Sequence, residues 1–182
     1  GKNPEGNVID RPARRIRVFD CRSAFGHGIC IGSEISGGVE DVAVWDCDLA
    51  HSQYGLMVKG TPKRGGGVAG LSVRRCTLPR VMVCQVGYND DGVAGPRPPI
   101  FRDFLFEDLT LTGRCLDADE ALDGGEGGGF RPCLPIQLEG FDAPGCQLQN
   151  AVLRRITLTG GGPESIRLAR CQGVTIEDLR CE

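Results

Sequence analysis

A histidine flanked by two glycines is the residue of this sequence best placed to do chemistry. His27 lies between Gly26 and Gly28, and the residues after Gly28 read I-C-I-G. This alternation of apolar residues is typical of a strand with one buried face. The two glycines allow a sharp turn and leave room for a ligand, so His27 can reach a bound molecule. The alternative is a structural histidine in a glycine-rich bend.

The ten cysteines give a second set of candidate residues. Cys21, Cys47 and Cys76 recur at one position of a repeat, and we expect them to stack in the core as small apolar side chains. The sequence contains no C-x-x-C pair. It therefore predicts neither a zinc ribbon nor a thioredoxin-like redox site, and it indicates no metal and no organic cofactor.

Six segments share one pattern, which reads polar, apolar, variable, apolar, two mostly polar residues, apolar. The segments are 15–21, 41–47, 70–76, 103–109, 150–156 and 173–179, so their starts recur every 23 to 47 residues. A period in this range is typical of a solenoid. A second series of short strands lies between these segments. It contains the pairs Ile29/Ile31, Leu56/Val58, Val81/Val83, Ile136/Leu138 and Ile166/Leu168.

Two strands per repeat, with almost no helical periodicity, predict an all-β fold, a right-handed parallel β-helix. The rival solenoid, a leucine-rich repeat, is disfavoured because its consensus is not met. We expect residues 1–182 to form a single domain. Two excursions interrupt the repeat, near 87–99 and 116–135, and insertions of this kind map to surface loops, often at a binding face.

The composition excludes several classes of function. The chain has 182 residues with 28 glycines, 5% aromatic residues and a net charge of -3. Such a charge argues against general nucleic-acid binding. No apolar run approaches 18 residues, so no transmembrane span is predicted. The first residue is Gly1 rather than Met, and we expect the chain to be truncated at its N-terminus.

The segment 26–38, which begins G-H-G-I-C-I-G-S, resembles the G-H-G-[IL]-S-I-G-S segment of the polygalacturonase-type glycoside hydrolases of family 28. The segment 55–60, G-L-M-V-K-G, falls one coil later, where that family has G-x-R-I-K. Residues 1–7 resemble the loop that follows the family's aspartate-pair strand. The resemblance implies a right-handed β-helix that hydrolyses glycosidic bonds in pectic, galacturonate-containing polysaccharide.

The resemblance also implies an inverting mechanism that rests on carboxylates in N-T-D and D-D motifs upstream of the histidine. No such motif precedes His27, where the only acids are Glu5, Asp10 and Asp20. The Asn-Asp-Asp-Gly sequence at 89–92 comes later and reads as a turn. We therefore expect the catalytic aspartates to lie upstream of Gly1, and residues 1–182 alone to be inactive.

By the same resemblance, His27 is a catalytic residue with an accessory role in acid–base chemistry. Lys59 would pair with a uronate carboxylate. Two residues are substrate-binding candidates on their own chemistry: Gly28 leaves room for a ligand, and Tyr88, at the start of the first excursion, could stack on a sugar ring, the alternative being a tyrosine that packs the loop. At the position of the Arg in R-I-K this sequence has Met57. The substitution removes one contact to a substrate carboxylate, and it argues against strict specificity for polygalacturonate. A different sugar at that subsite, or a weakened enzyme, is therefore an open alternative.

A second reading is a non-catalytic carbohydrate-binding β-helix or a structural solenoid. The expected partner is a pectic poly- or oligosaccharide, with no nucleic acid and no membrane, and the full-length protein is expected to be a monomer. The localisation is not indicated. Members of the family are often secreted, whereas stacked free cysteines are compatible with a reducing bacterial cytoplasm.

Overall fold

Parallel strands dominate the computed structural model, which describes residues 4–87, 93–117 and 129–182. Successive coils of the chain contribute strands to two sheets, here named sheet A and sheet B. Every strand pair within these two sheets is parallel. The predicted right-handed parallel β-helix is confirmed.

The strands of each sheet follow one another in chain order. Sheet A contains β1 (Ala13–Phe19), β3 (Val39–Trp45), β5 (Gly67–Leu78), β7 (Ile100–Leu111), β11 (Leu148–Leu158) and β13 (Cys171–Cys181). Sheet B contains β2 (Gly28–Ile31), β4 (Gly55–Gly60), β6 (Val81–Gln85), β10 (Ile136–Glu139) and β12 (Ile166–Ala169). The other described elements are helix α1 (Pro4–Ile9) and an antiparallel ribbon of β8 (Arg114–Leu116) and β9 (Phe130–Pro132).

Two columns of left-handed residues bend the six coils of sheet A at the same places. The first column is Arg15, Asp41, Gly70, Asp103, Asn150 and Gly173, and the second is Asp20, Asp46, Arg75, Asp108, Arg155 and Asp178. All have φ between 50° and 74°. Glycine, Asp and Asn tolerate this conformation best, which explains their frequency here. These columns are the first and sixth positions of the repeat found in the sequence.

Arginines lack this tolerance, and two of those in the left-handed columns, Arg75 and Arg155, form ion pairs with the neighbouring coil. Arg75 donates to Asp46 through Nε and Nη2, at 2.7 and 3.0 Å. Arg155 donates to Asp108 in the same way, at 2.5 and 3.0 Å. Such bidentate pairs fix the side chain of each bend against the coil before it.

The core is built from inward columns that run through all coils. Cys47 and Cys76 are each 3% exposed and lie in register, since the amide of Thr77 donates to the carbonyl of Cys47. The expectation that Cys21 is buried with them is wrong. Cys21 continues the same column but is exposed, and Ile16 is 37% exposed, because no described strand covers β1.

The two excursions and the opening residues contain structure that the repeat did not predict. The described ends of the second excursion pair as β8 and β9. Residues expected to form a loop at the start of the chain lie partly in α1. Asn7 on this helix is buried, donates to the carbonyl of Ser36 and accepts from the backbone amide of Arg97, which lies in the described part of the first excursion. No helix in the described residues is long and apolar enough to cross a membrane.

Candidate functional site

The candidate site lies where β2 and β4 run side by side in sheet B. Gly28 is opposite Gly55 and Ile31 is opposite Val58, so the register predicted from the sequence is confirmed. Val58 is fully buried in the core. Because side chains alternate along a strand, Lys59 points away from the core, and it is half-buried.

Glycines at both ends of β2 allow the two coils to touch. Gly32 has φ of 105°, and a side-chain carbon there would collide with the backbone carbonyl of Lys59. Gly28 has φ of 84°, and a side-chain carbon there would collide with the backbone of Gly55. Glycine is therefore required at both positions for the coil that carries His27 to lie directly against the coil that carries Lys59.

A stacked pair of rings forms the mouth of these strands. The rings of His27 and Tyr54 lie 5.7 Å apart between centroids, with their planes 16° apart. The amide of Tyr54 donates to the carbonyl of His27 at 3.2 Å. His27 is exposed and Tyr54 is half-buried, so the pair faces solvent. Sequence reasoning missed Tyr54. The signal was present, because Tyr54 and His27 each precede one of the two paired glycines.

A sulfur-rich strip runs beside Lys59 on the outer face of sheet B. Cys30 is in register with Met57, and Met57 is in register with Met82. Met57 is only 7% exposed although it points outward. Burial raises the pKa of the Cys30 thiol, and the nearby Lys59 opposes this shift. The position at which the resembled family has an arginine is therefore apolar and covered in this chain.

The next column of the outer face is polar. Lys59 is in register with Cys84, which is 3% exposed. Burial raises the pKa of Cys84 to about 11, the carboxylate of Glu139 adds to this shift, and the nearby Arg80 and Lys59 oppose it. This column therefore carries both a cation and a carboxylate beside the buried thiol.

Glu139 belongs to a hydrogen-bonded network that sequence reasoning missed. The side-chain amide of Gln137 donates to the Glu139 carboxylate at 2.9 Å. Its side-chain oxygen accepts a hydrogen bond from Arg80 at 2.5 Å. Arg170 lies 3.6 Å from the same carboxylate. The signal in the sequence was the alternation of Gln137 and Glu139 with two inward aliphatic residues, which puts both polar side chains on the outer face.

Tyr88 and the turn at 89–92 lie outside the described residues. Ser33 is buried and accepts a hydrogen bond from Arg64 at 2.8 Å, and Glu34 is exposed. His51 makes an edge contact with Phe130 of the ribbon, with ring centroids 5.4 Å apart.

The arrangement offers an outward cation, an exposed pair of stacked rings and a carboxylate–amide network, all associated with sheet B. A lysine ammonium suits a single carboxylate as a point charge, and flat rings suit the apolar face of a sugar. The described residues contain no group of three His, Cys, Asp or Glu side chains that could hold a metal ion.

Comparisons with known proteins agree on one family. Residues 8–94, which include β2 and β4, match the model of glycosyl hydrolases family 28. A probable polygalacturonase of Vitis vinifera is 31% identical over 110 residues, which is 54% of this chain and 22% of the relative. The structure of a family 28 exopolygalacturonase of Yersinia enterocolitica matches with a TM-score of 0.60 and 20% identity, over 88% of this chain and 27% of the other.

The chain thus spans about a quarter of the length of the proteins that it matches, at 22% and 27%. The structural match supports the fold, and the family match covers β2 and β4. The resemblance predicted from the G-H-G segment is confirmed, and the chain is similar to the polygalacturonase-type glycoside hydrolases of family 28.

Proposed function

We propose that this chain contributes the substrate-holding part of a glycoside hydrolase that cleaves pectic, galacturonate-containing polysaccharide. One observation carries the proposal. The parallel register of β2 and β4 sets the His27–Tyr54 ring pair and the outward Lys59 at the two ends of adjacent strands. Four residues of a strand span about 13 Å, which is the length of two or three sugar rings.

Lys59 is the residue that selects a charged sugar in this proposal. Its ammonium is half-buried beside apolar and sulfur-containing side chains, where a carboxylate partner is less screened than in open water. A uronate carboxylate supplies that partner. Because Met57 replaces the second cation of the family's motif, we propose a weaker demand for galacturonate at the neighbouring position.

His27 acts in this proposal as an accessory to acid–base chemistry. Inversion needs an acid and a base whose carboxyl groups stand about 6.5–9.5 Å apart, with water between them. His27 would hydrogen-bond one of these groups and hold its protonation state. We assign no carboxylate of this chain to the pair. Asp10 is ion-paired with Arg97, and Asp20 occupies a left-handed bend after β1 in sheet A.

Two further residues keep the substrate-binding roles expected from the sequence. Gly28 leaves the strand mouth open, since its positive φ and contact with Gly55 leave no space for a side chain. Tyr88 stays a proposed stacking residue.

A second candidate function is carbohydrate binding without catalysis. The buried Met57 favours it, because an enzyme strict for polygalacturonate would present a cation there. The two functions share the role of Lys59 but not that of His27. In a longer protein that includes the expected upstream aspartates, loss of turnover with unchanged affinity on replacement of His27 therefore indicates the enzyme, and loss of neither indicates the binding protein.

The test measures binding of a galacturonate oligosaccharide to the 182-residue chain by titration calorimetry. Lys59→Ala should weaken binding by about tenfold or more, since a charge-assisted contact is worth about 1.5–3 kcal/mol. Lys63→Ala is the matched control, because Lys63 is an exposed lysine shortly after β4. A neutral galactose oligosaccharide should not distinguish the two variants. Equal affinity of the two variants for the charged ligand would contradict the proposed site.

A further inference from the structure

An open hollow lies where the ribbon of β8 and β9 meets the turn that precedes β4. It has a volume of about 220 Å³ and is lined by Ala50, His51, Thr112, Arg114 and Phe130. Pockets that take drug-sized ligands measure about 300–1,000 Å³, so this hollow suits a single small ring. None of its lining residues belongs to the sugar site proposed above.

Backbone contacts hold the two sides of the hollow together. The amide of Leu116 in β8 donates to the carbonyl of Ser52, the residue after His51, at 3.1 Å. Ser52 is fully buried, and its hydroxyl bonds to the backbone on both sides of it, which fixes the turn. In the ribbon, Leu116 is opposite Phe130. The turn that carries His51 and the strand that carries Phe130 are therefore joined without any ligand.

Two rings stand at right angles in the hollow. The ring centroids of His51 and Phe130 lie 5.4 Å apart, and the ring planes are 86° apart. Both side chains are exposed, and Phe130 is 37% exposed although its side chain is large and apolar. An edge contact uses only the rim of one ring, so it leaves a ring face uncovered. Such a face suits the apolar face of a sugar.

Arg114 gives the hollow a positive charge. Its side chain is exposed. Most arginines of this chain are ion-paired with a carboxylate, whereas Arg114 forms no ion pair with any residue that the structure describes. A guanidinium binds a carboxylate through two parallel hydrogen bonds. The hollow therefore fits a ring that has both an apolar face and a carboxylate.

We propose that this hollow is a second uronate site, in which a galacturonate ring stacks on Phe130 and its carboxylate pairs with Arg114. The choice of a uronate over another carboxylate that carries a ring rests on the proposed function. His51 lies three residues before Tyr54 on one turn, and three residues span about 11 Å at most. One oligosaccharide can therefore occupy the hollow and the His27–Tyr54 pair together, which raises its affinity above that of either site alone.

The two histidines of the chain report the two sites separately, because His27 lies in one and His51 in the other. The test titrates trigalacturonate into the 182-residue chain at constant pH and follows the imidazole proton resonances, which the variant His51→Gln assigns. We expect both sets of resonances to shift, and the His51 set to shift also in Lys59→Ala. Absence of a His51 shift would overturn the second site, whatever His27 does. A shift of the His51 set alone would support the second site and count against the first.

Variants of the ribbon test the two contacts of the hollow. Arg114→Ala should weaken the affinity measured from the His51 resonances by about tenfold, since a charge-assisted contact is lost. Phe130→Ala should weaken it by about threefold or more, since the ring face is lost. Arg131→Ala is the matched control, because Arg131 is an exposed arginine of the same ribbon outside the hollow, and it should change the affinity less than about twofold. Equal affinities of Arg114→Ala and Arg131→Ala would overturn the proposal.

Two further ligands test the choice of a uronate. Galactotriose has similar ring faces but no carboxylate, and it should shift the His51 resonances only at concentrations about tenfold higher or more. Benzoate has a flat ring and a carboxylate but no sugar hydroxyls, and it should bind more weakly than galacturonate. Equal or tighter binding of benzoate would overturn the assignment of the hollow to a uronate, and equal binding of galactotriose would overturn the role of Arg114.

Discussion

Glu107 is the most heavily paired carboxylate of the described chain, and its loss should measurably destabilise the β-helix. Its side chain is 10% exposed and lies on the outer face of sheet A. It accepts hydrogen bonds from Arg154 and Arg155, both at 2.6 Å, and lies 3.3 Å from Arg74. These contacts tie three successive strands of sheet A together through one side chain.

The magnitude follows from the burial of the partners. A hydrogen bond to a charged group is worth about 1.5–3 kcal/mol, whereas an exposed ion pair is worth about 0.2–1 kcal/mol. Arg154 and Arg155 are 41% and 48% exposed, so their contacts fall between these ranges. Glu107→Gln should therefore lower the free energy of unfolding by about 1–2 kcal/mol. For a chain of this size, that corresponds to a decrease in Tm of about 3–6 °C.

The pH dependence of this loss has a definite sign. Hydrogen bonds from Arg154 and Arg155 hold the pKa of the Glu107 carboxyl below its usual value of 4.5. A carboxyl with a lowered pKa in the folded state adds stability above its unfolded pKa, and loses it as the pH falls through the folded pKa. The difference between wild type and Glu107→Gln should be full at pH 7 and shrink below about pH 4.5.

The assay is urea denaturation of both proteins at pH 7 and pH 3, followed by circular dichroism. Glu177→Gln is the matched control, because Glu177 occupies the same column two strands later but is exposed. The control substitution should lower the free energy of unfolding by less than about 0.5 kcal/mol at either pH. Equal losses for the two variants at pH 7, or a Glu107→Gln loss that grows in acid, would refute the reasoning.

Three further predictions concern the candidate site. Gly32→Ala should lower the free energy of unfolding, measured by urea denaturation, by about 2 kcal/mol or more, because the positive φ of Gly32 and the Lys59 carbonyl exclude a side chain. Gly87→Ala is the control and should lower it far less, because no described atom lies within reach of a side-chain carbon at Gly87. Tyr54→Ala should shift the imidazole proton resonances of His27 in NMR spectra, whereas Tyr54→Phe should leave them near their original positions, since the stacked ring remains. The purified 182-residue chain should release no reducing ends from polygalacturonate, and robust release would require a carboxylate pair within it.

The fold could be predicted from the sequence because each coil repeats the same local constraints. The first and sixth positions of the repeat are left-handed bends, where Gly, Asp and Asn are favoured, and the apolar positions between them face the core. The strand β7, for example, bends at Asp103 and Asp108 and buries Phe104 and Phe106 between them. Local propensity and burial therefore agree at every coil, and that agreement specifies a solenoid.

The structure outside the repeat lacked such a local signal. The strand β9 has only three residues and contains Pro132, so its sequence does not read as a strand. It forms because Cys133 and Gly113 pair across a long connection. Likewise, Asn7 on α1 is held by the backbone of Arg97, which is 90 residues away in sequence. Contacts over such distances cannot be inferred from periodicity.

The candidate site falls between these two cases, since the sequence indicates which face a residue takes but seldom which side chain lies beside it. The glycines at 28 and 55 gave the register of β2 and β4 and therefore the neighbourhood of Lys59. The connection between β6 and β10 is long and interrupted, so nothing local indicated that Glu139 would lie near Cys84 and Lys59. A polar network that crosses an insertion is thus visible only once the coils are stacked. Residues that line a groove across coils, unlike those that bend the coils, have to be read from the structure.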